Sequence, residues 1–236
     1  MRQKLFVFLA LLLAAVLGGA SAEAAAPALT ARRASIVSIS VLAAQGDLPR
    51  LRAAMAEGLD RGLTVNEEKE LMLQLYAYAG FPRCLNGLQT LASVVDERKA
   101  AGIADEMGRA ASPVDPSRDR LAVGTANQTA LVGRPVEGGV YDFCPEANTF
   151  LREHLFCAVF ERDVLTWQER ELATVAMLAG IGHVNAQLRS HMGVALHNGV
   201  TEDELRALTD VAAASAGEET GANAKAVLAD VLAARG

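Results

Sequence analysis

The sequence predicts an all-α protein in which two tandem helical modules pack as a pseudo-dimer. Shifting the chain by 137 positions aligns residues 33–96 with residues 170–233 without a gap. Ala, Leu and Val dominate the composition, aromatic residues are few, and no alternating apolar pattern with hairpin turns indicates strands. Two copies are too few for a solenoid, which needs several stacked units, so a packed pair is the favoured arrangement.

The repeat is clearest in a helix-turn-helix motif. Its glycine ends one helix, and a threonine followed three residues later by a glutamate forms a capping box that begins the next helix. Thr166 and Glu169 predict a further capping box in the second copy. The residue pairs that recur in this motif are Leu59/Leu196, Gly62/Gly199, Thr64/Thr201, Glu67/Glu204 and Leu71/Leu208.

Glycines, caps and composition divide the chain into four segments. The predicted segments are a signal peptide at 1–22, a first module at 29–103, a connector at 104–144 and a second module at 145–236. The helices expected in the first module span 34–44, 47–61, 65–79 and, after a break at Gly80, 82–101. Those expected in the second span 145–160, 167–180, 184–198, 202–215 and 219–234. The connector is rich in Gly, Pro and Ser, which predicts ordered coil with a helix only over 103–111.

The N-terminus has the pattern of an export signal. Two basic residues precede the apolar run Leu5–Leu17, which is too short to span a bilayer. A small-x-small cleavage site follows at 20–22. We therefore expect a periplasmic or secreted protein that does not associate with a membrane after cleavage.

The charge balance bears on the class of partner. Cleavage would remove two basic residues and no acidic ones, which lowers the formal net charge from −6 to −8. An acidic chain lacks the basic face that nucleic acids and anionic membranes require. A small-molecule substrate is the expected partner.

Three cysteines stand in a chain predicted to enter an oxidising compartment: Cys84, Cys144 and Cys157. An odd number leaves at least one unpaired within a monomer. Cys144 and Cys157 are the nearest pair in sequence, and burial of all three as small apolar side chains is the alternative. No C-x-x-C motif is present.

The two copies differ at three positions that suggest chemistry. Glu171, Gln187 and His191 of the second copy fall on Ala34, Arg50 and Ala54 of the first. A short turn between the two helices can bring Glu171 to His191, and a carboxylate beside an imidazole fixes its tautomer and raises its basicity. Gln187 lies one helical turn before His191 and can add a hydrogen bond.

The other histidines have simpler explanations. His183 at a turn and His197 at a helix end suit capping and the helix dipole, and a satisfied core role is the alternative for His191 itself. His154 and the other histidines match no ligand spacing, so the sequence predicts no metal site and no cofactor.

The first copy contributes an aromatic run that the second lacks. Tyr76, Tyr78 and Phe81 fall on Ala213, Ser215 and Glu218. Core packing is one explanation. In the other, Tyr78 forms part of the wall of the second module's pocket and Arg83 binds a substrate carboxylate through its planar fork of donors.

Three motifs give the chain its resemblance to the carboxymuconolactone decarboxylase family, which shares the alkylhydroperoxidase-like helical fold. They are Leu165-Thr166-x-x-x-Arg170-Glu171-Leu172, Gln187-Leu188-Arg189-Ser190-His191 and Asn198-Gly199-Val200-Thr201-x-x-Glu204-Leu205. The first copy resembles the family more weakly. The resemblance implies homo-oligomers, commonly trimers of paired modules.

The resemblance also implies two kinds of chemistry. The alkylhydroperoxidase branch carries a C-x-x-C one turn before its histidine, but the corresponding positions here are Val184 and Gln187. A dithiol relay needs both an attacking and a resolving thiol. The decarboxylase branch removes CO₂ from a carboxylated lactone, which requires stabilisation of an enolate and a placed proton donor.

Three functions therefore remain open at the level of sequence. The first is acid–base catalysis by His191 and Glu171 on a small carboxylate or lactone, such as decarboxylation. The second is peroxidase-type activity through a lone cysteine. The third is a non-catalytic module that binds a small molecule.

Overall fold

The computed structural model describes residues 28–235, and within this range its regular elements are all helical, which confirms the all-α prediction. The predicted signal peptide lies outside the described residues. The first copy forms α1 (Ala31–Gln45), α2 (Leu48–Asp60) and α3 (Val65–Ala100). The next elements are α4 (Arg120–Val132), α5 (Val140–Phe143), α6 (Pro145–Phe150) and a π-helix (Leu151–Val159). The second copy forms α7 (Trp167–Ile181), α8 (Asn185–His197), α9 (Glu202–Ala216) and α10 (Glu218–Ala233).

The internal repeat is visible helix by helix. At the shift of 137 positions, α1 corresponds to α7, α2 to α8, and α3 to α9 together with α10. The long α3 is broken at Gly80, where φ is 82° and ψ is 162°. Gly217, its counterpart, has φ 104° and ψ 155° and separates α9 from α10. The predicted interruption at Gly80 is therefore confirmed, and the same backbone turn occurs in both copies.

Two adjacent arginines connect the starts of the helices. All three predicted capping boxes are present, at the starts of α3, α7 and α9. Arg32 binds the capping-box carboxylates of Glu67, at 2.6 Å, and of Glu169. Arg33 binds that of Glu204. The glutamates that begin three helices are therefore tied to the first turn of α1.

One hydrophobic core runs through both copies. It includes Ile36 and Leu71 from the first copy and Leu172 and Leu208 from the second, all fully buried. Helices α1 and α7 pack side by side through this core. Gly180 lies so close to α1 that a β-carbon there would be 2.5 Å from the carbonyl oxygen of Val41. The two copies thus fold as one unit.

The connector differs from the sequence prediction. Residues 103–111 are not helical, whereas α4 forms over a stretch expected to be coil. Gly, Thr and Asn within α4 lower its intrinsic helix propensity, so its stability comes from packing. At Gly124 the helix approaches the π-helix so closely that a β-carbon would lie 1.9 Å from the carbonyl oxygen of Arg152. The single helix expected over 145–160 is divided into α6 and the π-helix.

A second, smaller apolar cluster holds α4 and the π-helix against the second module. Its buried members include Leu131 of α4, Phe156 of the π-helix and Val194 of α8. The side-chain amide of Asn198 donates to the carbonyl oxygen of Leu131 at 2.8 Å. The connector is therefore a docked layer rather than a loose link.

Within the described range, no helix combines the length and the apolar character needed to cross a bilayer.

Glu68 of α3 is a buried carboxyl group with no hydrogen-bond partner for either oxygen. Burial, assisted by the nearby charge of Asp105 and opposed by Arg98, raises its pKa to about 9. The folded protein therefore holds this group neutral at pH 7, while in the unfolded chain it is ionised.

The first prediction concerns Glu68→Gln. Because the folded pKa lies above the unfolded one, the carboxyl contributes stability below about pH 4.5, and this is lost as the pH rises toward 9. We expect the free energy of unfolding of the variant, relative to that of wild type, to rise by up to about 4 kcal/mol as the pH goes from about 5 to about 8. Urea denaturation at both pH values measures this. Parallel pH profiles for the two proteins would contradict it.

The second prediction concerns the contact between α1 and α7. Gly180→Ala places a methyl group against the backbone of Val41, and we expect a loss of about 2 kcal/mol in the free energy of unfolding. Gly193→Ala is the matched control, because a β-carbon there meets nothing within 4 Å. That variant should gain up to about 1 kcal/mol from helix propensity. Equal effects of the two substitutions on chemical denaturation would refute the interpretation.

Candidate active site

A cavity of about 370 Å³ lies where both modules and the connector meet. The first module contributes Ala77 and Tyr78 to its wall, and the second contributes residues of α7 and α8. Most of the wall is apolar. Its polar side chains are those of Tyr78, Gln128, Arg134, Tyr141, Gln187, Ser190 and His191.

Glu171 and His191 are in direct contact, as the repeat asymmetry predicts. The turn at Gly182 sets α7 and α8 side by side, and Oε2 of Glu171 lies 2.9 Å from Nδ1 of His191. Glu171 is fully buried, while the His191 side chain is 18 % exposed and forms part of the cavity wall. A carboxylate only accepts hydrogen bonds, so the proton lies on Nδ1 and Nε2 is left for a ligand. The other oxygen, Oε1 of Glu171, is buried without a partner.

Tyr78 stands edge-on to His191. The ring centroids are 5.8 Å apart and the planes are inclined by 80°. Burial, reinforced by the charge of Glu171, raises the pKa of the Tyr78 hydroxyl well above its ordinary value. The hydroxyl is therefore protonated at neutral pH and serves as a hydrogen-bond donor.

A directed chain of hydrogen bonds orients this hydroxyl. The Gln74 side-chain amide donates to the Arg170 carbonyl at 2.9 Å and to Oγ1 of Thr174 at 2.8 Å. Oγ1 of Thr174 in turn donates its proton to the Tyr78 hydroxyl oxygen at 3.2 Å. Since Tyr78 accepts from Thr174, its own proton is available for another acceptor.

The chain of hydrogen bonds continues into a buried ion-pair network. Arg170 is fully buried, donates to the side-chain oxygen Oε1 of Gln74 at 3.0 Å and pairs with Glu70 at 3.0 Å. Arg162 pairs with Glu70 as well, at 2.6 Å. Burial alone would raise the pKa of Glu70, but the two arginines hold it below its ordinary value. This network locks α3 against α7, one on each side of the cavity wall.

The remaining sequence candidates differ in position. Gln187 lies on the cavity wall one turn before His191, as predicted. Arg83 does not line the cavity: it is exposed, and a β-carbon at Gly46 would be 3.7 Å from its Nε. The chain changes direction at Gly80, which carries Arg83 away from Tyr78. The prediction that Arg83 binds a carboxylate in this cavity therefore does not fit its position.

Sequence reasoning missed the connector's part of the wall, which includes Gln128, Arg134 and Tyr141. The connector has no counterpart in the repeat, so the comparison of copies gave no signal there. The Gly133 turn at the end of α4, with φ 80°, is the local feature that points to an ordered chain reversal before Arg134.

The corresponding place in the first copy holds a different set of polar contacts. Arg50, which replaces Gln187, donates to the backbone carbonyl of Ser215 at 2.9 Å. The hydroxyl groups of Ser38 and Ser215 are 2.9 Å apart. Ser215 replaces Tyr78 there, so neither the imidazole nor the phenol of the second copy's site has an equivalent.

The thiols lie elsewhere. None of the three cysteines lines the cavity, and all are unpaired in the structure. Cys84 and Cys157 are buried, and burial raises the pKa of both thiols. Among residues 28–235, His, Cys, Asp and Glu side chains form no group of three that could hold a metal ion.

Comparison with known families matches this architecture. The model of the carboxymuconolactone decarboxylase family matches residues 10–92 and 145–230, one region for each copy. The chain belongs to the carboxymuconolactone decarboxylase family. No curated protein matches it.

Membership in the carboxymuconolactone decarboxylase family accounts for the repeat but not for the whole site. The matched regions contain Tyr78, Glu171 and His191, whereas residues 93–144 lie between them and outside the match. Val184 and Gln187, the positions where the alkylhydroperoxidase branch would place cysteines, both line the cavity. The cavity thus has an imidazole at its wall with a buried carboxylate behind it, and the side chains at those two positions carry no sulfur.

Proposed function

We propose that this protein is a decarboxylase-like acid–base catalyst that acts on a small carboxylate or lactone. The observation that carries the proposal is the contact of the buried Glu171 carboxylate with Nδ1 of His191, whose ring lines the cavity. A carboxylate in this position fixes the tautomer and orientation of the His191 ring and leaves Nε2 for a bound ligand.

In the proposed reaction, the carbon–carbon bond to a departing carboxylate breaks and its electron pair moves onto the lactone carbonyl. This gives CO₂ and an enolate. The Tyr78 hydroxyl, whose proton is free for an acceptor, donates a hydrogen bond to the enolate oxygen. His191, which takes up a second proton at Nε2 from solvent before the step, then delivers that proton to carbon, and Glu171 holds the ring in place. In the reverse step, Nε2 of His191 takes the proton from an acidic C–H group.

The geometry supports this function over peroxidase-type activity. The cavity wall holds no thiol, and burial disfavours the thiolate form of Cys84 and Cys157. A non-catalytic binding role uses the same cavity but gives no reason for a fully buried carboxylate on the far side of His191.

We also propose export to the periplasm or outside the cell, and assembly into homotrimers as the family resemblance implies. Phe81, Leu85 and Phe150 are apolar side chains about 60 % exposed, which supports burial against further copies. Sedimentation velocity of the chain from residue 23 onward measures the assembly, and a monomer at micromolar concentration would contradict it.

The third prediction tests the catalytic pair. With a panel of small carboxylated lactones, we follow CO₂ release and, in D₂O, exchange of the C–H next to the carbonyl by proton NMR. We expect His191→Ala to lower the rate at least about 100-fold, because general acid–base groups contribute factors of this size. Glu171→Gln should lower it less, since Nε2 remains in the cavity but loses its charged support.

The matched control is His183→Asn. His183 is exposed at the turn before α8, has φ 56°, and does not line the cavity. Asparagine tolerates this backbone conformation, so the variant should fold and keep the wild-type rate. Circular dichroism verifies folding of each variant. A folded His191→Ala protein with undiminished turnover would refute the proposed function.

A further inference from the structure

The connector forms one side of the cavity. Residues 93–144 lie between the two regions that match the family model, so this part of the wall comes from outside the repeated modules. The connector residues that line the cavity are Gln128, Leu131, Val132, Arg134, Val136 and Tyr141.

Arg134 is the cationic side chain of this wall. Among residues 28–235, no other lysine or arginine lines the cavity, and no aspartate or glutamate lies on its surface. Among the described residues, Arg134 has no carboxylate within ion-pair distance, although many of the chain's other arginines are paired, including Arg32, Arg162 and Arg170. An unpaired guanidinium at the edge of an apolar cavity favours an anionic ligand.

The backbone on both sides of Arg134 is held in place. Asn198 donates to the carbonyl oxygen of Leu131 at 2.8 Å, and Arg152 donates to that of Val136 at 3.1 Å. A β-carbon at Gly133 would lie 2.6 Å from the His197 ring, so the turn is packed against α8. The position of Arg134 is therefore fixed by contacts to the second module and the π-helix.

We propose that Arg134 anchors a carboxylate of the substrate, and that the connector thereby sets the specificity of the cavity for small acids. The proposal rests on the proposed function for the reaction, but it concerns recognition and can be tested by binding alone. It assigns to Arg134 the role that the sequence suggested for Arg83.

The carboxylate held by Arg134 is one that the product retains. A guanidinium bound to the departing carboxylate would stabilise the ground state and oppose loss of CO₂, since only interactions stronger in the transition state accelerate a reaction. Bound to a spectator carboxylate, Arg134 positions the substrate without this penalty. The preferred substrate is therefore an apolar-bodied lactone whose anchoring carboxylate takes no part in the chemistry.

The fourth prediction uses a matched pair of probes, γ-butyrolactone β-carboxylate and its methyl ester, with affinities measured by isothermal titration calorimetry. We expect wild type to bind the carboxylate about tenfold more tightly than the ester, because charge-assisted hydrogen bonds to an exposed arginine are worth about this much. Arg134→Gln should abolish the preference by weakening carboxylate binding and leaving ester binding unchanged. Arg134→Lys should retain part of it.

Two controls complete the design. Arg206→Gln removes the same charge from an exposed position on α9, away from the cavity, and should keep the full preference. Arg83→Gln distinguishes the two candidate anchors. The proposal is overturned if wild type shows no preference for the carboxylate, if Arg134→Gln keeps it, or if Arg83→Gln alone loses it.

The same variants separate this proposal from the catalytic one. His191→Ala should keep the preference for the carboxylate over the ester, because His191 is not the anion anchor. If His191→Ala turns over normally while Arg134→Gln loses the preference, the acid–base function fails and the carboxylate anchor stands.

Discussion

The close packing of α1 against α7 is the constraint on which the rest of the structure depends. Gly180 allows the two backbones to approach, and Arg32 ties the start of α1 to the carboxylates that begin α3 and α7. The helices α3 and α7, which carry the buried polar groups, are thereby both fixed against α1. The separation between Tyr78 on α3 and Glu171 on α7 therefore follows from backbone packing rather than from the site itself.

Buried charge is the second feature of the structure, and one buried ion-pair network leads to the cavity wall through Tyr78. The ion pairs of Glu70 with Arg162 and Arg170 cost desolvation, and well-packed apolar groups would often serve stability as well. What the charged network supplies is direction, because Arg170 fixes the Gln74 amide, which donates to Thr174, and Thr174 donates to Tyr78. A site in which the Tyr78 hydroxyl must direct its proton at a ligand needs hydrogen bonds of this kind to hold the hydroxyl in position.

Local and repeated features of the site could be predicted from the sequence. The capping boxes follow from residues three apart, and the pairing of Glu171 with His191 was suggested by two residues that the second copy has and the first lacks, on helices joined by a short turn. The roles of Arg134 and α4 could not be predicted, since both depend on tertiary contacts of a segment that has no counterpart in the internal repeat. Arg170 was hidden for the opposite reason: its counterpart is Arg33, so the comparison of copies showed no difference there.

Covalent fusion of the copies has a consequence for symmetry. In a dimer of identical subunits, the two-fold axis places the same residue on both sides of the interface. A single chain is free of that requirement, and here Tyr78 meets His191 while its counterpart Ser215 meets Arg50. Only one of the two equivalent places in the repeat carries the imidazole and the phenol, and the cavity there draws its lining from three different stretches of sequence that can vary independently.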